Sequence, residues 1–356
     1  MVGSRCVLAV SFAALLFTST GCAAPHWVRL ANGQMDLVAR ARPIVNVLRE
    51  TKGTDDPRMV KIRGRLNEVL RARDFAEELG LDVGSTYRDY VDVGAAPVYV
   101  LAAAPPDRLE LRRWNYPLVG SFPYRGFFDL EAARRLARRL EGEGLEVSVR
   151  PAAAYSTLGW FPDPVFSSML RGTRGETVEV LFHELTHRTV FFKHDLRFNE
   201  NLATFVGEEA ARRYLAAHYG AEAPELAEYE AILRDQLRFR EVVGELRTAL
   251  ERAFEAPERS DRLAARERLF AAVSAQLAAT PFETERYRGW AGAEWSIPLL
   301  MHLDLYVGAN DVLADALARC DGDLPRFIEW AGSLSSSKDG VSQLRDGDPP
   351  PPSPER

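Results

Sequence analysis

Two of the chain's six histidines stand four residues apart in the run His183-Glu184-Leu185-Thr186-His187. On a helix, residues i and i+4 project from one face, one turn above the other. Two imidazoles so placed can both reach one Zn²⁺ at about 2.0–2.1 Å. Glu184 sits beside them, close enough to take a proton from a water at such an ion. The pattern suits metal-assisted hydrolysis. Three protein ligands leave a position open for water, the ion draws that water's pKa towards about 7, and the glutamate serves as general base.

Two histidines leave the ion one ligand short. The candidates downstream are His194, Glu200 and Glu208. A metzincin arrangement would need glycine at position 190 and histidine at 193, where the chain has Val190 and Lys193, so that class is excluded. Glu200 is favoured. It begins the next helix after a connection of about 193–197, and two antiparallel helices with a short link bring it opposite His183 and His187. Thr204 and Glu208 share its face, one and two turns on, and are candidates to orient a ligating imidazole or to meet substrate. The expected complement is one Zn²⁺ per chain.

The elements that must position these residues fall into two groups. Apolar residues recur at helical spacing from Trp27 to Glu50, and a second helix is predicted from about Asp56 to Leu79, with Gly80 as its stop. Val98 to Leu101 reads as a strand before Pro105-Pro106, Asp129 as the N-cap of a helix to about Glu141, and Leu145 to Val149 as a strand. After about residue 174 only helices are predicted: 176–192, 198–219, 224–254, 260–278, 297–319 and 323–330. The fold class is α+β, with a small mixed α/β N-terminal half (22–173) packed on a larger all-α C-terminal half (174–332) that carries the helix pair of the metal site. The active cleft is expected between the halves. The Ser- and Pro-rich tail 333–356 is predicted to be disordered.

The first residues read as an address. Arg5 precedes an apolar run from Cys6 to Phe17 and the small residues up to Gly21, which is the form of a secretory signal peptide over 1–21 and too short for a membrane span. Gly21-Cys22 resembles a bacterial lipobox, with Ser19 where that pattern usually has Leu. The resemblance implies lipidation at Cys22 and anchoring to a membrane, and Ala23 implies the outer membrane, facing the periplasm. The signal removes Cys6 and acylation consumes Cys22, so Cys320 remains alone and no internal disulfide is available. The net charge of −6 carries no basic excess for nucleic acid.

The run HELTH, followed by a helix opening Asn199-Glu200-x-x-Ala203, resembles the gluzincin clan of zinc peptidases, although the connection from His187 to Glu200 is shorter than in thermolysin-like enzymes. The chain is also similar, over nearly all of the mature length, to a bacterial family described as predicted aminopeptidases, commonly exported as lipoproteins. The shared runs are Arg42-Pro43-Ile44, Tyr124 to Phe128, Ala154 to Phe161 with Asp163-Pro164, His183 to His187, Phe198 to Gly207, and Gly322 to Phe327. The resemblance implies His183, His187 and Glu200 as zinc ligands, Glu184 as general base, a peptide substrate and aminopeptidase activity. In gluzincins an edge strand above the zinc helix binds the substrate main chain, and Tyr155 to Phe161 is a candidate for it, the alternative being a buried hairpin of the α+β half. Tyr155, Tyr287 and Tyr306 are candidate donors to an oxyanion. An exopeptidase needs an acid for the substrate's ammonium group, and Glu208 or Glu209 are candidates. The competing reading is an envelope lipoprotein with a binding or scaffold role and an inactive or structural metal site.

Overall fold

The structure, a computed structural model, describes residues 24–116, 120–152, 162–193, 195–305, 308 and 310–351. It forms two compact units, Met1–Ala41 and Arg42–Arg356. The described part of the first is helix α1 (Ala24–Arg40). The predicted signal peptide over 1–21 and Cys22 lie outside the described residues. No helix among the described residues is long and apolar enough to cross a membrane.

The second unit is mixed α+β and mostly helical. Its first elements are β1 (Arg42–Pro43), α2 (Ile44–Glu50) and α3 (Pro57–Glu78). The sequence pattern suggested one helix from Trp27 to Glu50, but the helix breaks at Arg42–Pro43. Proline lacks the N–H a helix needs and disfavours helical backbone in the residue before it. The pair instead lies antiparallel to β2 (Asp89–Val91), which runs parallel to β8 (Val165–Phe166). The start of α3 follows the sequence, since the Asp56 carboxylate accepts from the Arg58 N–H and Pro57 opens the first turn.

A second sheet has the order β6-β3-β7, from β3 (Val98–Ala104), β6 (Arg125–Phe127) and β7 (Glu146–Ala152), all antiparallel, with Leu101 opposite Val149. A small hairpin joins β4 (Trp114–Tyr116) and β5 (Gly120–Phe122). Helix α4 (Leu130–Gly142), capped by Asp129, lays Ala133, Ala137 and Leu140 on Leu101, Ala103 and Phe127.

The helices that follow are α5 (Arg174–Thr189), α6 (Leu196–Tyr219), α7 (Pro224–Ala253), α8 (Arg259–Ala279), α9 (Ile297–Asp304), α10 (Asn310–Arg319), α11 (Leu324–Ser333) and α12 (Gly340–Asp346). The pattern predicted one helix over 297–319; it is divided between α9 and α10, and Gly308 in the break has φ +131°. The sheet meets the helices at Ala104, which belongs to one buried cluster with Phe239, Val243, Leu250, Phe270, Leu277 and Leu300. Polar contacts also cross there, because Glu146 of β7 accepts the Ile297 N–H at 2.7 Å and pairs with Arg266.

The tail is not disordered throughout. Residues 340–346 form α12, capped by the Asp339 side chain. Leu344 is buried, and Gly340 lies so close to the Phe198 ring that a Cβ there would stand 2.5 Å from it. Serine and proline composition does not report an apolar anchor of one residue.

Candidate metal centre

Helix α5 begins with a capping box. Thr173 Oγ1 accepts from the Glu176 N–H at 3.2 Å, and Glu176 Oε2 accepts from the Thr173 N–H at 2.8 Å. Val178, Leu181, Phe182 and Leu185 form its buried face, each contributing roughly 1.5–3 kcal/mol of burial. His183, Glu184 and His187 are half-buried on the other side.

One buried carboxylate holds the far ends of this scaffold. Glu68 of α3 accepts from the hydroxyls of Tyr214 and Tyr219 at 2.6 Å each, from Arg174 at 2.6 Å and from Arg71 at 3.1 Å. It therefore ties α3 to the start of α5 and the end of α6. Burial raises its pKa, but these partners outweigh burial and hold it below the usual glutamate value.

The turn between α5 and α6 is fixed by Asn199. Its Oδ1 accepts the Phe192 N–H at 2.8 Å and its Nδ2 donates to the Phe192 carbonyl at 2.8 Å. Both residues are buried, and the Phe192 and Phe198 rings meet edge-on at 4.7 Å. Asp195 caps α6 by accepting the Phe198 N–H at 2.9 Å. Gly207 allows the helices to cross closely. A Cβ there would lie 3.2 Å from the Glu179 carbonyl oxygen and 3.4 Å from His183 Cβ.

This hairpin brings Glu200 to the two histidines. His183 Nε2 and His187 Nε2 are 3.1 Å apart, His187 Nε2 is 3.5 Å from Glu200 Oε1, and His183 Nε2 is 3.7 Å from Glu200 Oε2. Among the described residues this is the group whose donor atoms converge as metal ligands do. Donors about 2.0–2.1 Å from a tetrahedral ion lie about 3.4 Å from one another, so the three contacts bracket the spacing that a zinc ion needs. Two imidazoles and one carboxylate are also a donor set that zinc accepts. His187 Nδ1 is buried and finds no partner among the described residues.

The electrostatics separate the members of the group. Burial pushes His187 down to about 4, helped by neighbouring His183 and opposed by Glu200. Burial acts on His183 in the same sense, but Glu200, Glu184 and Glu179 outweigh it and its pKa is raised. Burial pushes the Glu184 carboxyl up to about 7, opposed by His183 and reinforced by Glu200 and Asp163. A carboxyl in that range can accept and release a proton near neutral pH.

The other sequence candidates are placed differently. Thr204 is buried on α6, one turn past Glu200. Glu208 points away towards α7, where it accepts from Gln236 at 2.9 Å and pairs with Arg240 at 3.0 Å. Glu209 pairs with Arg212 on its own helix. Tyr287 packs on Phe239 at 5.0 Å and Phe282 at 5.9 Å. Tyr155 and the segment to Phe161, His194 and Tyr306 lie outside the described residues.

Three further residues lie near the group, of which only Asp163 stands in a run named above, without a role. His302 of α9 is half-buried and pushed down to about 4 by burial and by Arg150 of β7, against the pull of Glu200. Asp163 is buried and acts on Glu184. Tyr87 is buried in the left-handed region at φ 58°, donates its N–H to the Asp163 carbonyl at 2.7 Å, and has its phenol raised by burial and by Glu184. His302 was visible as one of only six histidines, although nothing in its spacing links it to the helix pair. Tyr87 offered no signal, because a positive φ at a tyrosine cannot be read from sequence.

The helix pair thus brings together two histidines and a glutamate that could hold a metal ion, with a second glutamate beside them. The chain matches the family model described as "Putative aminopeptidase" over residues 25–343, and it belongs to that family. Comparison with curated proteins gives no match, and comparison with solved structures gives none.

Proposed function

We propose that this chain is a zinc-dependent aminopeptidase, exported and lipid-anchored at Cys22 in a bacterial cell envelope. The observation that carries the proposal is the convergence of His183, His187 and Glu200, with Glu184 on the same helix. The family assignment supports a peptide substrate. The sequence before residue 23 supports export and the anchor.

His183, His187 and Glu200 would hold the ion. When bound, it would supply Lewis-acid polarisation of the scissile carbonyl and acidify a water. The residues of the chain do the rest. Glu184 takes the proton of the attacking water and delivers it to the leaving amine, and burial holds its pKa near the working range. His302 lies where Glu200 acts on it, and its depressed pKa keeps the imidazole neutral.

The test is metal content per chain on soluble protein starting after Cys22, with Glu200→Ala beside it and Glu209→Gln as control. About one zinc per chain is expected in the parent and the control, and none in Glu200→Ala. Aminoacyl arylamides should be hydrolysed by the parent and not by Glu184→Gln. A parent that takes up no zinc when it is supplied would refute the proposal.

A further inference from the structure

An enzyme that removes amino-terminal residues must recognise a free α-ammonium group. The acids near the helix pair are not equally free to do so. Glu208 is already matched by Arg240, with both side chains largely buried. Glu176 is matched by Arg286 at 3.0 Å, and its other oxygen is used in the capping box. Glu179 has neither arrangement. It stands on α5 one turn before His183, half-buried, and its Oε2 accepts the Tyr229 hydroxyl at 3.0 Å. Among the described residues no Lys or Arg nitrogen pairs with it, and its Oε1 has no hydrogen-bond partner.

The surroundings hold this carboxylate in place. Tyr229 is fully buried, and its ring lies on Gly175 so closely that a Cβ there would stand 2.3 Å from it. The backbone of Glu179 is the surface against which Gly207 packs. Burial and Glu208 push the Glu179 carboxyl up to about 7, while Tyr229 and His183 pull the other way. A carboxylate of this kind is costly to leave without a cation.

The reach fits an amino acid. One helical turn is about 5.4 Å. The α-nitrogen of a residue lies two bonds from its carbonyl carbon, and an ammonium–carboxylate contact adds about 2.8 Å. A residue whose carbonyl faces the His183 cluster thus brings its ammonium group to the neighbourhood of Glu179. We propose that Glu179 receives the α-ammonium group of the substrate's first residue and so restricts the site to peptides with a free amino terminus. This rests on the peptidase reading for the position of the carbonyl.

The experiment compares the zinc-loaded full-length mature protein with Glu179→Gln, which keeps the side-chain shape. Binding of Leu-Gly and of N-acetyl-Leu-Gly is measured by calorimetry, and hydrolysis of leucyl and N-acetyl-lysyl arylamides by absorbance. The parent should prefer the free amine, and Glu179→Gln should weaken Leu-Gly by about tenfold or more, which is about 1.4 kcal/mol per tenfold. Zinc content and binding of the acetylated peptide should not change. Equal Leu-Gly affinity in the two proteins, loss of zinc in Glu179→Gln, or no preference for the free amine in the parent would each overturn the assignment. Cleavage of the N-acetyl-lysyl substrate that depends on Glu179 would reassign the carboxylate to a side-chain ammonium, overturning it equally. If the parent cleaves nothing but its preference for the free amine is lost in Glu179→Gln, the anchor stands and the peptidase reading fails. If Glu179→Gln does not fold, Glu179→Asp keeps the charge and shortens the reach. Unchanged Leu-Gly affinity there overturns the proposal, and weaker binding supports it.

Discussion

Asn199 is the residue whose removal should most directly disturb the metal site without touching a ligand. In Asn199→Ala, the Phe192 N–H and carbonyl both lose their partners in a place where Phe192 is 2% exposed. Each buried backbone group left unpaired costs about 1–3 kcal/mol, and partial relaxation of the turn makes about 2–4 kcal/mol reasonable for the pair. Unfolding entropy of about 2.1 cal/mol/K per residue, over roughly 300 residues, is about 0.6 kcal/mol/K. The melting midpoint should therefore fall by about 3–6 °C. Glu200 is the next residue and moves with the turn, so zinc affinity should weaken by about tenfold. The assay is thermal melting followed by circular dichroism, together with competition for zinc against a chelator. Leu277→Ala is the control: it empties a buried position in α8 at a cost of about 2–5 kcal/mol and should leave zinc affinity intact. An Asn199→Ala protein that melts with the parent, or binds zinc as tightly, would refute the reasoning.

Gly207→Ala should push α5 and α6 apart by a few tenths of an ångström, because its new Cβ meets a backbone oxygen that cannot rotate away. Zinc affinity and melting temperature should both fall, while Gly289→Ala, which meets nothing, should change neither. Glu68→Gln should destabilise the protein by about 1–3 kcal/mol at pH 7, since the hydrogen bonds from Tyr214, Tyr219, Arg174 and Arg71 lose a charged acceptor, while the two arginines keep access to solvent. The folded pKa of Glu68 is depressed, so its stabilisation is full above the unfolded value and is lost as pH falls through the folded value. Urea titrations should therefore show the gap between parent and variant closing below about pH 4. Asp235→Ala should loosen the 283–284 segment, whose two N–H groups and the Thr284 hydroxyl all donate to Asp235. Hydrogen exchange at those amides should rise, and unchanged protection would show that the segment is held by its apolar contacts.

The helix pair was legible because every signal in it is local. The i, i+4 histidines and the short connection act within a few turns, and the observed helices begin and end close to the expected residues. The helices over 27–50 and 297–319 were read too long, because apolar periodicity continues across Pro43 and Gly308 and outweighs a single breaker in a sequence reading. Glu208 illustrates the opposite difficulty. Its spacing from Glu200 is right, yet its carboxylate is drawn to Arg240 on another helix, and no local pattern encodes that pairing. The same holds for Glu179, whose lack of a cation becomes visible only when α5, α6 and α7 are assembled.

All three donor atoms lie inside residues 183–200, within one helical hairpin closed by the Asn199 turn. Contacts so near in sequence close small loops and form early, whereas the β3–β7 pairing must bring distant segments together. The donor set can thus assemble before the sheet is complete. On the proposed function an ion held there would take part in folding, because its binding free energy would stabilise the hairpin against which α3 and α7 pack. A chain that folds without metal would then be expected to show the deficit as slow maturation and sensitivity to proteases, and not merely as lost activity.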